Sequence, residues 1–200
     1  MVPKKRKQRI WRVALLLFAL LTAILLYFYV TSLFLHVETY TLPANVASPI
    51  RVVHLSDLHN AQFGKKNEQL VALVAMQNPD LIIISGDMLN SDDENTDVVT
   101  ALISDLSSIA PVYYGYGNHE KSWEQRFGRD LRPIIESAGA VVVDNDYIDL
   151  EVHGTSLRIG GYMGFYPIPH MPSDDEIQQA SELAFITDFQ NTDRVKLLIN

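Results

Sequence analysis

Three short clusters carry residues able to do chemistry: Asp57-Leu58-His59, Gly86-Asp87 and Gly117-Asn118-His119-Glu120. They supply carboxylates, imidazoles and an amide oxygen, a donor set for hard-to-borderline divalent metals. Two metals about 3.5–4 Å apart are a recurrent device for hydrolysing phosphate esters. In extended backbone, residues i and i+2 point the same way, so Asp57 and His59 can grip one ion with Leu58 turned to the core. Gly86 permits a tight turn before Asp87, whose carboxylate can bridge two cations. Asn118 can offer its amide oxygen to a second metal. An imidazole titrates near pH 6.5, which suits His119 to protonating a leaving oxygen. Glu120 can orient His119 from behind. Each cluster also has a plain structural reading: a polar turn, a strand-ending Gly-Asp turn, or a helix start with Asn118 as cap and Glu120 in the first turn. The combination, repeated at intervals of about thirty residues, favours the chemistry.

Alternating strand and helix patterns must position these clusters. Ile50–Leu55, Leu81–Ser85, Val112–Tyr116 and Ala140–Val143 read as apolar strands. Asn67–Gln77, Asp97–Ser107 and Trp123–Ser137 read as helices, the last stopped at Gly139. Helical crossovers imply a largely parallel sheet, and sites in such sheets form beyond the carboxyl ends of the strands, where all three clusters fall. Tyr147–Val152 and Ser156–Gly160 read as a hairpin joined at His153-Gly154-Thr155, so antiparallel strands are expected to follow the parallel ones. Asp174–Asp188 has a helical pattern, and Val195–Ile199 reads as a strand. The segment from Tyr162 to Pro169 is aromatic and proline-rich; it reads as an ordered loop, with a lip over the site or an apolar contact with lipid as the alternatives.

Val13 to Leu35 is an apolar run of 23 residues, long enough for a membrane-spanning helix. Trp11, Tyr27 and Tyr29 lie toward its ends, where aromatic rings favour the interface. Lys4, Lys5, Arg6, Lys7, Arg9 and Arg12 all precede it, which sets the N-terminus in the cytoplasm and the remainder outside. The run is longer than the core of a cleaved signal peptide and lacks a clear small-residue cleavage site. The expected divisions are a basic tail (1–12), a transmembrane helix (13–35), a juxtamembrane linker with a short strand (36–49) and a folded domain (50–200). Six of the sixteen basic residues lie in the tail and no acid precedes Glu38, so the remainder holds ten basic against twenty-four acidic residues. Such a domain does not suit broad electrostatic binding of nucleic acid. The chain has no cysteine, which excludes disulfides, thiolate zinc sites and a cysteine nucleophile.

The order and spacing of the clusters resemble the calcineurin-like metallophosphoesterase family, whose pattern runs D-x-H, G-D, G-N-H-[ED], then H and G-H-x-H. The first three motifs are met by Asp57-Leu58-His59, Gly86-Asp87 and Gly117-Asn118-His119-Glu120, and the resemblance extends from Ile50 to Asn200. It implies an α/β fold of four layers, α/β/β/α. It implies two divalent ions, manganese, iron, zinc or magnesium, with Asp57 and His59 on one, Asp87 bridging, Asn118 on the second, and His119 catalytic. Membrane-anchored bacterial members, including relatives of the hydrolases acting on UDP-2,3-diacylglucosamine, look most similar. The last two motifs do not occur: His36, His54, His153 and His170 lack the G-H-x-H spacing and read as surface or satisfied histidines. Val195–Asn200 resembles the strand leading to the fourth motif, which implies a C-terminally truncated domain with an incomplete second sheet and an exposed edge. The expectation is an outward-facing two-metal phosphoesterase acting on a phosphomonoester, phosphodiester or pyrophosphate bond, in a small or lipid-linked substrate. Its rival is a non-catalytic, membrane-tethered binding module.

Overall fold

The computed structural model describes residues 4–32, 34–163 and 184–200, which fall into two units, Met1–Thr41 and Leu42–Asn200. The first unit holds helix α1 (Lys4–Ser32). Its stretch Arg9–Phe28 is 20 residues long and apolar enough to cross a membrane, a criterion that signal sequences also meet. The short strand expected after it is not formed: residues 34–51 carry no strand. Pro43 and Pro49 each lack the N–H that pairing needs.

The second unit begins its regular structure with β1 (Val52–Leu55), α2 (Glu68–Met76), β2 (Leu81–Ile84), α3 (Asp97–Ser107) and β3 (Val112–Tyr114). These are followed by α4 (Asn118–Phe127), α5 (Arg132–Ser137) and β4 (Ala140–Val142). The four strands form one parallel sheet in the order β1-β2-β3-β4, with Leu55 opposite Ile84 and Ile84 opposite Tyr114. β2 is buried along its whole length, as its unbroken apolar run requires when both faces are covered. α3 buries Val99, Leu102, Ile103 and Leu106, a helical stripe at i, i+3, i+4 and i+7. The single helix expected over Trp123–Ser137 is instead two. Gly128 takes a left-handed φ of 62° and ends α4, and Pro133 sits in the first turn of α5, where a missing N–H costs nothing.

The second sheet contains β5 (Asp146–Val152), β6 (Thr155–Gly161) and β7 (Val195–Ile199) in that order. β5 and β6 are antiparallel across the two-residue turn His153-Gly154, whose φ values of 49° and 75° match the twist of a tight hairpin. β7 runs parallel to β6, which corrects the expectation of antiparallel strands throughout. Residues 184–190 are helical, and Arg158 of β6 donates to the main-chain carbonyls of Asp188 and Phe189 there. The proline-rich loop from residue 164 and the first part of the expected 174–188 helix lie outside the described residues. Ile83 and Tyr113 of the first sheet pack with Leu157, Ile159 and Ile199 of the second in one apolar cluster. Gly115 admits the contact, because a Cβ there would overlap the Ile199 side chain.

A polar strut also joins the sheets. His153 Nε2 lies 2.7 Å from Asp80 Oδ1, while Asp80 Oδ2 accepts the Arg51 N–H at 2.7 Å. The Arg51 N–H and then His153 hold the Asp80 carboxyl below its ordinary range. A depressed carboxylate contributes stability that is present above the unfolded value, near pH 4, and is lost as pH falls through the folded value. Asp80→Asn should therefore lower the melting temperature at pH 7, with the gap to wild type closing toward pH 3. A gap that stays constant across that range contradicts the strut.

Candidate metal centre

Each of the first three strands ends in a loop that carries one cluster, and the loops lie side by side as their strands do. Loop 1 (56–60) follows β1, loop 2 (85–91) follows β2, and loop 3 (115–117) leads into α4. Loop 1 is hung on loop 2 by main-chain bonds: Asp57 N–H to Gly86 O (3.2 Å), His59 N–H to Asp87 O (3.0 Å) and Asn60 N–H to Met88 O (2.9 Å). The Asn90 side-chain amide adds a bond to His59 O at 3.1 Å. Loop 2 rests against loop 3 through two glycines. A Cβ on Gly86 would overlap the Gly117 backbone, and one on Gly117 would overlap the Asp87 carboxylate. Gly86 also holds φ at 83°, where other residues are strained.

These contacts bring His59, Asp87 and His119 together, with their ligand atoms all within 4.8 Å of one another. The His59 and His119 rings meet edge to face with centroids 4.5 Å apart. Asp57 lies beside this group: its Oδ1 is 4.0 Å from His59 Nε2, and its side chain is 68% exposed. Asp57 and His59 do converge, but not by the extended backbone expected from their spacing. Their φ values are 56° and 48°, and Asp87 is left-handed too at 54°. Non-glycine residues seldom adopt this region, and clustering of such residues is a mark of functional sites.

Asn118 is the first residue of α4 and half-buried; Gly117, in extended backbone, takes the cap position expected of Asn118. The His119 N–H donates to Asp87 Oδ1 at 2.8 Å, which steers that carboxylate. His119 Nδ1 accepts the Ser91 N–H at 3.2 Å. A ring nitrogen that accepts carries no proton, so the neutral His119 ring holds its proton on Nε2. The role expected for Glu120, orienting that ring, falls instead to the Ser91 main chain. Glu120 is fully buried, and both its oxygens are engaged elsewhere. Burial and then the Glu120 charge push the Tyr114 hydroxyl well above its ordinary value.

The donor set suits a divalent cation: the Asp87 carboxylate and the His59 imidazole converge with the Asp57 carboxylate beside them, while His119, its Nδ1 taken by the Ser91 N–H, borders the group. Main-chain support from Ser91 and side-chain support from Tyr114 and Asn90 were not foreseen. Only Tyr114 left a trace in the sequence, since a hydroxyl inside an apolar strand must find a partner. Because Asp87 fits against a bare Gly117, Gly117→Ala should displace the carboxylate. Overlap of this kind costs about 1–3 kcal/mol. Calorimetric titration with manganese should show affinity at least tenfold weaker in the variant; unchanged affinity contradicts the proposed packing.

The calcineurin-like phosphoesterase family model matches residues 50–199. An uncharacterized metallophosphoesterase of Bacillus subtilis, YkoQ, is 26% identical over 56% of this chain and 42% of its own length. The phosphodiesterase YaeI of Escherichia coli is 29% identical over 50% of this chain and 38% of its own. An uncharacterized metallophosphoesterase of Campylobacter jejuni, Cj0846, is 27% identical over 38% of this chain and 21% of its own. The matches thus span less than half the length of each relative. With the family's fold and its first three motifs in place over three quarters of the sequence, the chain belongs to the calcineurin-like phosphoesterases.

Proposed function

We propose that this chain carries metal-binding loops of a two-metal phosphoesterase, held to a membrane by α1 and facing outward. The observation that supports it most is the convergence of His59, Asp87 and His119 at the carboxyl ends of neighbouring parallel strands. Asp57 and His59 would hold one divalent ion, Asp87 both, and Asn118 the second. Bound there, such ions supply an activated water and neutralise charge on the phosphoryl oxygens. The Ser91 N–H on Nδ1 keeps the proton of the neutral His119 ring on Nε2, from which it would donate a hydrogen bond to the phosphoryl or leaving oxygen. The name of the Escherichia coli relative favours a phosphodiester among the possible substrates. The basic tail before the span favours a cytoplasmic N-terminus, which would set the folded domain outside and favours an envelope or lipid-linked phosphate.

A second reading, a metal-binding module without turnover, is favoured by the donor count. Among the described residues the tight group is His59, Asp87 and His119, and with His119 turned to the substrate it falls well short of full shells for two ions. Hydrolysis of bis-p-nitrophenyl phosphate with manganese separates the readings, using the full chain in detergent micelles and a chain extended through any continuing reading frame. The enzyme reading expects turnover in at least the extended form. There, Asp87→Asn should remove both metal binding and activity by 100-fold or more. His119→Asn should lower kcat about 100-fold while leaving manganese affinity nearly unchanged. Metal binding with no turnover in either form supports the module; wild-type kcat in His119→Asn contradicts the role given to that histidine.

A further inference from the structure

We propose that Glu120 is the positioning residue for the whole site, bracing the main chain of the loops that present Asp57, His59 and Asp87. Its Oε2 accepts the N–H of Asp87 at 2.8 Å and of Gly117 at 2.9 Å. Its Oε1 accepts the N–H of Met88 at 3.0 Å and the hydroxyl of Tyr114 at 2.7 Å. One carboxylate therefore ties loop 2 to loop 3 at the two residues where the glycines bring those loops into contact. The bond to the Asp87 N–H fixes the residue whose left-handed φ turns its carboxylate into the site. Loop 1 has no such bond to loop 3, but its Asp57, His59 and Asn60 N–H groups hang on the carbonyls of Gly86, Asp87 and Met88. The Asp87-Met88 pair gripped by Glu120 through its N–H groups thus carries loop 1 through its carbonyls. Glu120 touches none of the ligand atoms of the His59, Asp87 and His119 group. It acts through backbone.

A carboxylate is needed for this. Four donors converge on two oxygens that can only accept, and an amide in the same place would turn N–H groups toward N–H groups. An aspartate, one methylene shorter, cannot reach donors from both loops. A purely structural role, as a first-turn acid that favours α4, would be served by any acid at the helix start and would leave the loops unaffected when lost.

The consequence for metal binding rests on the phosphoesterase reading, but the brace itself can be tested without a metal. In the full chain in detergent micelles, NMR should detect couplings across the hydrogen bonds from the Asp87, Met88 and Gly117 amide nitrogens to the Glu120 side-chain carboxyl carbon. In E120Q, amide exchange at Asp57, His59, Asn60, Asp87 and Met88 should accelerate at least tenfold. Ile83 and Tyr113, inside the strands, should stay within twofold of wild type, and manganese affinity should fall at least tenfold. Tyr114→Phe removes one donor and no loop bond; it should lower the melting temperature and leave exchange at Asp87 and His59 within twofold. Unchanged loop exchange in E120Q overturns the brace, as does acceleration spread equally over strands and loops. Should E120Q not fold, absence of the couplings in the wild-type protein overturns it. A wild-type protein that binds no manganese defeats the phosphoesterase reading alone, since the couplings and exchange rates still judge the brace.

Discussion

A single buried charge organises the chemistry of this fold. A carboxylate taken out of water costs several kcal/mol unless its lone pairs are met. Glu120, with no exposed surface, meets them with three main-chain N–H groups and one tyrosine hydroxyl. Its place in the first turn of α4 adds the favourable end of the helix dipole. The structure invests a buried ion in holding irregular backbone, at the one place where strands give way to loops.

That irregular backbone is where the fold accepts strain. Asp57, His59 and Asp87 all adopt left-handed φ, and each has a main-chain bond to a neighbouring loop or helix that holds it there. The glycines serve the same arrangement. Gly86 supplies the positive φ, and Gly117 supplies the bare surface against which the Asp87 carboxylate lies. Beneath the loops the sheet is ordinary: β2 is buried on both faces, α3 covers one side, and the second sheet covers the other through Leu157, Ile159 and Ile199. The regular part provides a stiff base; left-handed residues also occur at Lys66, Asn67, Asn78, Asn145 and His153, but Asp57, His59 and Asp87 gather at the site.

Much of this was legible in the sequence, because burial dictates it. The unbroken run Leu81–Ile84, the stripe of α3 and the Val195–Ile199 strand each follow from apolar periodicity alone, and the three clusters announce themselves by residue type at strand ends. What periodicity cannot show is backbone handedness. An Asp-x-His after a strand reads as extended, whereas its N–H bonds to the Gly86 and Asp87 carbonyls hold it in left-handed form. Nor does periodicity show the break at Gly128, since a glycine within a helical pattern reads equally as tolerated or as a stop. The direction of β7 was hidden because it depends on how residues between β6 and β7 cross over. Glu120 was read from its neighbour in sequence, His119. Its true partners, Tyr114 six residues earlier and Asp87 thirty-three residues earlier, are set by strand order.

Three loops, braced into one surface, would together form a divalent metal centre. Manganese is paramagnetic and broadens the NMR signals of nearby amides, so substoichiometric manganese added to the full chain in micelles reports directly where the ion sits. The account predicts that amides of residues 57–60, 86–91 and 117–121 broaden first, while those of the β5–β6 hairpin stay sharp. Broadening centred on the acidic stretch 92–97, or spread evenly over the acidic surface, would contradict it.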